Sequence, residues 1–273
     1  MSRRIVQGGG FWLLLLVVLG LFGANTNRWV GTSPMVIAHR GASADAPENT
    51  LASYALAAER GAKMAECDVY LTSDGVPVLF HDRELERTSN GTGRVEDHTL
   101  AELKALDAGS WKHADYIGEP IPTLVEYLLA VKGKLRPVIE IKTTGRGIEA
   151  AVIAALKEAD FAPEDAMIFA FRLETVATIA QLEPHLPTTW LVSEPSQEPD
   201  ELRKLFRRAL AARVSALGIG HGELFPAFLE RAHESGMPVF VWTVNEAADM
   251  RRLAEQGVDA IITDRPGLAL EVL

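Results

Sequence analysis

Two histidines and two acidic residues in the first third of the chain have the residue types and the spacing needed for phosphate chemistry. His39 and His81 each stand beside a charged residue at the end of an apolar stretch, and one residue separates Glu66 from Asp68. Because alternate side chains of a strand share a side, Glu66 and Asp68 would point the same way. Imidazoles exchange protons near neutral pH and carboxylates bind hard cations, so the set predicts metal-assisted attack on a phosphate.

A third acid, Glu140, lies in the apolar stretch VIEIK. A buried acid is costly unless it is paired or bound to a metal. Three carboxylates suit one hard divalent cation, Ca²⁺ or Mg²⁺, and we expect Glu66, Asp68 and Glu140 to bind it. The alternative is a structural ion pair between Glu140 and either Arg40 or Lys142.

The remaining polar groups of these stretches have roles that follow from their chemistry. We expect His39 and His81 to act as general acid and base, because the imidazole pKa lies near working pH. Arg40 and Lys142 are the candidates for binding an anion, and the arginine fork matches a phosphate. Salt bridges to the neighbouring acids are the alternative for both cations, and the two roles are compatible. The other five histidines lie in predicted loops or helices and receive no role.

Composition limits the fold and the partners. The chain has 273 residues, of which 48% are hydrophobic, a size typical of one α/β barrel. Its net charge of -10 argues against nucleic acid as a partner.

The single cysteine, Cys67, allows no intrachain disulfide and is predicted to be a small buried residue. A basic helix face from Arg203 to Arg213 could contact anionic lipid, but a solvated face is the favoured interpretation.

The elements that position these residues alternate between strand and helix. Nine short stretches rich in valine and isoleucine are typical of buried strands, and amphipathic stretches lie between most of them. This alternation predicts either a parallel barrel or an open doubly wound sheet. The first helix is expected to begin with Asn49 as its N-cap and to end at Gly61.

One junction is too short for a parallel crossover. Only a few residues around Ser73-Asp74-Gly75 separate two strand stretches, and Asp-Gly is a hairpin signal. An antiparallel hairpin would bring His81 and Asp82 opposite Glu66, and it would explain nine strand candidates for an eight-stranded barrel. The stretch Arg87–Asp97 that follows is rich in turn formers and is predicted to be a loop.

The N-terminal region predicts a membrane anchor. Phe11–Ala24 is uncharged and follows Arg3 and Arg4, and with flanking apolar residues it reaches the length of a spanning helix. We therefore expect a single-pass anchor and short linker at residues 1–34, with the barrel domain, residues 35–273, outside the cytoplasm. A cleaved signal peptide, giving a secreted or periplasmic protein, is the alternative.

A series of short motifs runs in order along the chain: HRG...PENT at 39–50, ECDV at 66–69, TSDGVPVLFHD at 72–82, LERTSNGTGRVEDHT at 85–99, IPTL at 121–124, EIK at 140–142, WTVN at 242–245 and GVDAIITDRP at 257–266. With these motifs the sequence resembles the glycerophosphodiester phosphodiesterases, whose fold is a TIM-like (β/α)8 barrel shared with phosphatidylinositol-specific phospholipases C. An ordered series of this kind is far more specific than any single motif. The resemblance covers the chain from about Met35 to the C-terminus.

The resemblance implies hydrolysis of glycerophosphodiesters to glycerol 3-phosphate and an alcohol. Position by position, it implies catalytic residues His39 and His81, metal ligands Glu66, Asp68 and Glu140, substrate-binding residues Arg40, Lys142 and Trp242, and supporting residues Glu48 and Asn49. The expected partners are a small glycerophosphodiester or a lysophospholipid, and the membrane through the N-terminal helix.

Three functions remain open from the sequence. The leading one is a membrane-anchored, metal-dependent phosphodiesterase. The second is a lysophospholipase D, which performs the same chemistry on a lipid that still carries one acyl chain. The third belongs to a different class, an anchored binding module without catalysis. The intact set of two histidines and three acids argues against the third, because an inactive module would be free to lose any of them.

Overall fold

A parallel barrel carries the site. The computed structural model describes residues 33–143 and 145–273, which form nine strands and nine α-helices. The strands are β1 Met35–Ala38, β2 Met64–Leu71, β3 Pro77–Leu79, β4 Arg136–Ile141, β5 Met167–Ala170, β6 Thr188–Val192, β7 Ala216–Gly220, β8 Val239–Trp242 and β9 Ala260–Thr263. The helices are α1 Leu51–Glu59, α2 Leu100–Lys104, α3 Leu124–Val131, α4 Ile148–Glu158, α5 Leu173–Leu182, α6 Pro199–Ala211, α7 Pro226–Glu234, α8 Ala247–Gln256 and α9 Pro266–Val272.

The sheet closes on itself through β1. Its strand order is β1-β9-β8-β7-β6-β5-β4-β2-β3, and a further parallel pairing joins β1 to β2. Eight strands are therefore parallel around the barrel, while β3 lies at the end of the strand order and runs antiparallel to β2. All nine predicted strands are present. Because the sheet closes through the β1–β2 pairing, the fold is a barrel and not an open sheet. Parallel strands place their carboxyl ends at one rim, where barrels of this kind hold their active sites.

The β2 strand shows how the core orients the acids. Its residues are all buried, and Cys67 and Val69 pack with Tyr54 and Tyr127 in the layer between barrel and helices. Because side chains alternate along a strand, the residues between them face the barrel interior. The prediction that Cys67 is a small buried residue is confirmed, and burial raises the pKa of its thiol well above the usual value.

The predicted hairpin between β2 and β3 is confirmed. Val69 lies opposite Leu79 in the antiparallel register, and the turn closes with the Gly75 amide donating to the Thr72 carbonyl at 3.1 Å. Gly75 has φ of +85°, a conformation that side chains rarely adopt. Continuing this register places residue 81 opposite residue 67 and residue 82 opposite residue 66, so the hairpin carries His81 to the rim near the acids.

The first helix begins one residue later than predicted. Its N-cap is Thr50, whose side chain accepts a hydrogen bond from the Ser53 amide at 3.3 Å. Asn49 has φ of +58°, and its side chain donates to Asp68 and accepts from the Asp68 amide instead. The prediction of an Asn49 cap was wrong because a buried carboxylate elsewhere in the fold engages that amide.

The basic helix face is shorter than predicted. Helix α6 ends at Ala211, so Arg213 lies beyond it, with φ of +56°. Arg203 and Lys204 pair with Asp200 and Glu201 one turn earlier on the same helix. These exposed pairs fit the favoured interpretation of a solvated face.

The predicted anchor, Phe11–Ala24, lies outside the described residues. Within residues 33–143 and 145–273, no helix has both the length and the apolar character needed to cross a membrane.

Candidate active site

Three acids meet inside the carboxyl-end rim of the barrel. The β2–β4 register places Asp68 directly beside Glu140, and Glu66 lies two residues earlier on β2. One carboxylate oxygen from each of Glu66, Asp68 and Glu140 lies within 4.8 Å of the others. Glu66 and Asp68 are only 2% and 0% exposed, so the predicted co-facial pair is buried as well as aligned.

Each acid has a different set of partners. Glu66 accepts a hydrogen bond from the Arg40 amide on Oε2 at 3.0 Å, while its Oε1 has no hydrogen-bond partner among the described residues. Asp68 accepts from the Asn49 side chain at 2.8 Å and lies 3.2 Å from the Lys142 ammonium. Glu140 accepts from Lys142 at 2.8 Å. An ion pair between Glu140 and Lys142 is therefore present, as the alternative interpretation of Glu140 expected.

The surroundings raise the pKa values of two of the acids and lower that of the third. Burial, followed by repulsion from Asp68 and Glu140, raises the pKa of Glu66 well above its usual range. Burial and then Asp68 raise the pKa of Glu140 to about 7. Burial also opposes ionisation of Asp68, but Lys142 and Arg40 outweigh it and lower that pKa to about 2.

These acids fit a divalent cation. All three ligands are carboxylates, the donors that Ca²⁺ and Mg²⁺ prefer, and the buried Oε1 of Glu66 is directed at no protein partner within the described part of the chain. Burial, and then repulsion from the neighbouring acids, makes Glu66 and Glu140 hold protons more tightly than usual. A bound cation would take the place of those protons.

His39 is oriented by an acid from the other end of the chain. It follows β1, and its Nδ1 lies 2.7 Å from Asp264 Oδ1, just after β9. Asn245 and Ser43 donate to the same carboxylate at 2.6 and 2.9 Å. Burial opposes ionisation of Asp264, but these bonds, led by that of His39, hold its pKa well below the usual range. An ionised Asp264 keeps the Nδ1 proton in place and leaves Nε2 for proton transfer.

His81 has its own carboxylate partner. Its Nδ1 lies 2.6 Å from Asp82 Oδ1. Burial lowers the pKa of His81; Asp68 opposes this effect, and the positive charges of Arg40 and Lys142 add to it. These surroundings together favour the neutral form of His81, the form that can accept a proton.

The two predicted anion-binding cations are held by acids. Arg40 Nη1 donates to Glu48 at 2.9 Å, and its Nε lies 3.2 Å from Asp68. Lys142 bridges Asp68 and Glu140. Both cations also line the pocket, so the salt-bridge interpretation and the phosphate-binding interpretation are compatible, as expected.

One pocket brings the predicted residues together. It is lined by the site residues His39, Arg40, Glu66, His81, Glu140, Lys142 and Trp242. Trp242 meets Phe171 edge-to-face at 5.6 Å, and Phe171 is 41% exposed. The pocket thus has a charged wall, formed from β1 to β4, and an aromatic wall that includes the predicted Trp242.

Sequence reasoning gave no role to several residues of this site. Asp264 follows the apolar stretch AIIT, and an acid at a strand end was a signal that could have identified it. Asn245 fixes Asp264 and also follows a strand, β8. Arg87 lies in the predicted loop, yet its guanidinium contacts both Glu48 and Asp82.

Comparisons with known proteins agree with this geometry. Residues 39–268 match the Glycerophosphoryl diester phosphodiesterase family. The chain is 39% identical over 236 residues to the glycerophosphodiester phosphodiesterase of Caldanaerobacter subterraneus, covering 85% of this chain and 94% of that one. It is 34% identical over 255 residues to a glycerophosphodiester phosphodiesterase of Bacillus subtilis, covering 86% and 84%.

A solved structure gives the same result. A phosphodiesterase from Oleispira antarctica, in complex with the product sn-glycerol-3-phosphate, matches with a TM-score of 0.80 and 33% identity, covering 88% of this chain and 96% of that chain. Fold and site define a barrel enzyme of the phosphodiesterase class. The chain belongs to the glycerophosphoryl diester phosphodiesterase family.

Proposed function

We propose that the chain hydrolyses glycerophosphodiesters to glycerol 3-phosphate and an alcohol. The observation that carries the proposal is the pairing of His39 with Asp264 and of His81 with Asp82 around one three-carboxylate cluster. The relative from Oleispira antarctica, which binds sn-glycerol-3-phosphate, supports this substrate class.

Glu66, Asp68 and Glu140 would hold one divalent cation, Ca²⁺ or Mg²⁺. When bound, the cation supplies positive charge that polarises the phosphoryl oxygens and stabilises the charge developing on them. Carboxylate-only coordination favours these hard cations over zinc, which prefers histidine and cysteine. The Oε1 atom of Glu66, without a hydrogen-bond partner among the described residues, would be available to such a cation.

The two histidines divide the proton transfers. His81 is the base, because burial and the positive charges of Arg40 and Lys142 favour its neutral form; it removes a proton from the attacking water as the water oxygen bonds to phosphorus. His39, whose Nδ1 is held by Asp264, is the acid and donates a proton to the leaving alcohol oxygen as the P–O bond breaks. Each carboxylate fixes the Nδ1 proton of its histidine, so Nε2 is the atom that reacts.

The pocket walls position the diester between these groups. Arg40 and Lys142, which line the charged wall, bind the phosphate through their positive charges and their remaining N–H donors. Trp242 and Phe171 cover the opposite side and exclude water from the leaving group.

Hydrolysis by the purified barrel region, with and without chelator, tests the proposal. Glycerophosphocholine should release glycerol 3-phosphate, and excess EDTA should abolish turnover until Ca²⁺ or Mg²⁺ is restored. A higher kcat/KM for lysophosphatidylcholine than for glycerophosphocholine would instead establish a lysophospholipase D. Binding of glycerophosphocholine without turnover, in the presence of either cation, would establish a binding module.

A further inference from the structure

Arg87 connects the side chains around His81 with those around Arg40. Its Nη1 and Nη2 donate to the two oxygens of Glu48 at 2.8 and 2.7 Å, and its Nε donates to Asp82 Oδ2. Asp82 contacts His81 through its other oxygen, and Glu48 accepts from Arg40. Five charged or titratable side chains therefore form one continuous series of contacts, from the proposed base to a proposed phosphate ligand.

Arg87 does not line the pocket. Its side chain is 45% exposed, and the pocket lining contains His81 and Arg40 but not the arginine that connects them. The backbone around it is anchored, because Leu85 and Val95 are fully buried and the Leu85 amide donates to the Gly93 carbonyl at 2.9 Å. Its influence on the reaction must therefore pass through the residues that it holds.

The contacts require a guanidinium. Arginine has five donors in a rigid plane, and three of them are used here on two carboxylates from different segments. The ammonium of a lysine is a single point charge on a flexible stem and cannot fix both carboxylates in one plane. Asp82 is partly exposed, so without Arg87 its carboxylate would be free to rotate away from His81.

We propose that Arg87 is a positioning residue: by holding Oδ2 of Asp82, it fixes Oδ1 against His81 Nδ1 and keeps Nε2 directed at the substrate. Its second contact, through Glu48, holds the Arg40 guanidinium at the phosphate end of the site. The catalytic consequence rests on the proposed phosphodiester hydrolysis, whereas the effect on the His81 ring does not.

Turnover of three variants of the full chain tests the catalytic consequence. Arg87→Ala should lower kcat by about 10- to 100-fold, the scale of a misplaced catalytic group, and change KM less. Added guanidinium ion should restore part of the loss, while Arg87→Lys should stay below wild type despite its charge. Arg83→Ala is the matched control, because Arg83 lies in the same segment and pairs only with Glu96 among the described residues. It should retain wild-type kcat.

Imidazole ¹⁵N NMR of the same proteins tests the ring directly. His81 should carry its proton on Nδ1 in the wild type and in Arg83→Ala, and should populate both tautomers in Arg87→Ala, with His81→Gln assigning the signal. An unchanged His81 tautomer in Arg87→Ala would overturn the proposal, as would a wild-type kcat. If the wild-type chain hydrolyses no glycerophosphodiester, the proposed function fails, and the NMR result alone decides the role of Arg87. Arg87→Lys provides the same readout if the alanine variant is unstable.

Discussion

Replacing Asp264 by asparagine should damage catalysis without removing a side chain from the site. The Asp264 carboxylate accepts from His39 and Ser43 on Oδ1 and from Asn245 on Oδ2. An amide can present only one oxygen. If its NH₂ group faces His39, Nδ1 must become an acceptor and the proton moves to Nε2, the wrong atom. If the NH₂ group faces Asn245 instead, it lies against the NH₂ group of Asn245, and two donors face each other without an acceptor.

The size of the loss follows from these contacts. A hydrogen bond to a charged group contributes about 1.5–3 kcal/mol, and about 1.4 kcal/mol corresponds to a factor of ten. Loss of the charged partner alone would therefore slow the step by roughly 10- to 150-fold, and the wrong tautomer adds to that. We expect kcat of Asp264→Asn to fall by about 10² or more.

The assay is steady-state hydrolysis of glycerophosphocholine at saturating Mg²⁺ or Ca²⁺, with metal affinity measured separately. Affinity should be unchanged, because Asp264 is not among the three clustered acids. Ser43→Ala removes one donor to Asp264 and leaves the His39 contact, so it should cost much less. A kcat for Asp264→Asn within about threefold of wild type would refute the role given to the His39–Asp264 pair.

Three further predictions follow from the site and its surroundings. His39→Ala and His81→Ala should each lower kcat by about 10² or more while the circular dichroism spectrum stays that of the wild type; near-wild-type turnover in either would mean that the histidine was misassigned. Divalent-metal affinity should weaken as pH falls below 7, and binding should release protons, because the pKa of Glu140 is raised to about 7 and this acid must ionise to bind the metal. Calorimetry in buffers of different ionisation enthalpy measures the number of protons released. A measurement of no proton release at pH 6 would contradict the prediction. Thr50→Ala should lower the free energy of unfolding by about 1 kcal/mol through loss of the α1 cap, whereas an unchanged urea midpoint would show that the cap contributes nothing.

Local periodicity explains what the sequence could predict. The side of the strand that Glu66 and Asp68 share depends only on their spacing, and the hairpin at Gly75 depends only on a short turn motif. The nine strands were predictable for the same reason, because each is a short apolar stretch. The start of helix α3 carries a local signal of the same kind, the capping box that pairs Thr123 with Glu126.

Long-range partners explain what the sequence could not predict. Asp264 reaches His39 across 225 residues of chain, and only closure of β9 against β1 brings them together. Asn49 and Thr50 are both residue types that favour the N-cap position. Asp68, 19 residues after Asn49, binds the Asn49 side chain and so leaves Thr50 as the cap. Residue type alone pointed to the three acids and two histidines that meet at the candidate site, but not to the side chains that hold them.

Charge balance ties the proposed cation to the proposed substrate. Glu66, Asp68 and Glu140 carry three formal negative charges when ionised, and the adjacent Arg40 and Lys142 carry two positive charges. The ionised site without a cation would therefore repel a phosphodiester, which is itself an anion. One divalent cation would offset two of those negative charges, weaken the repulsion among the acids and so favour binding of a singly charged diester. The same ion would thus both stabilise the clustered acids and help to bind the substrate.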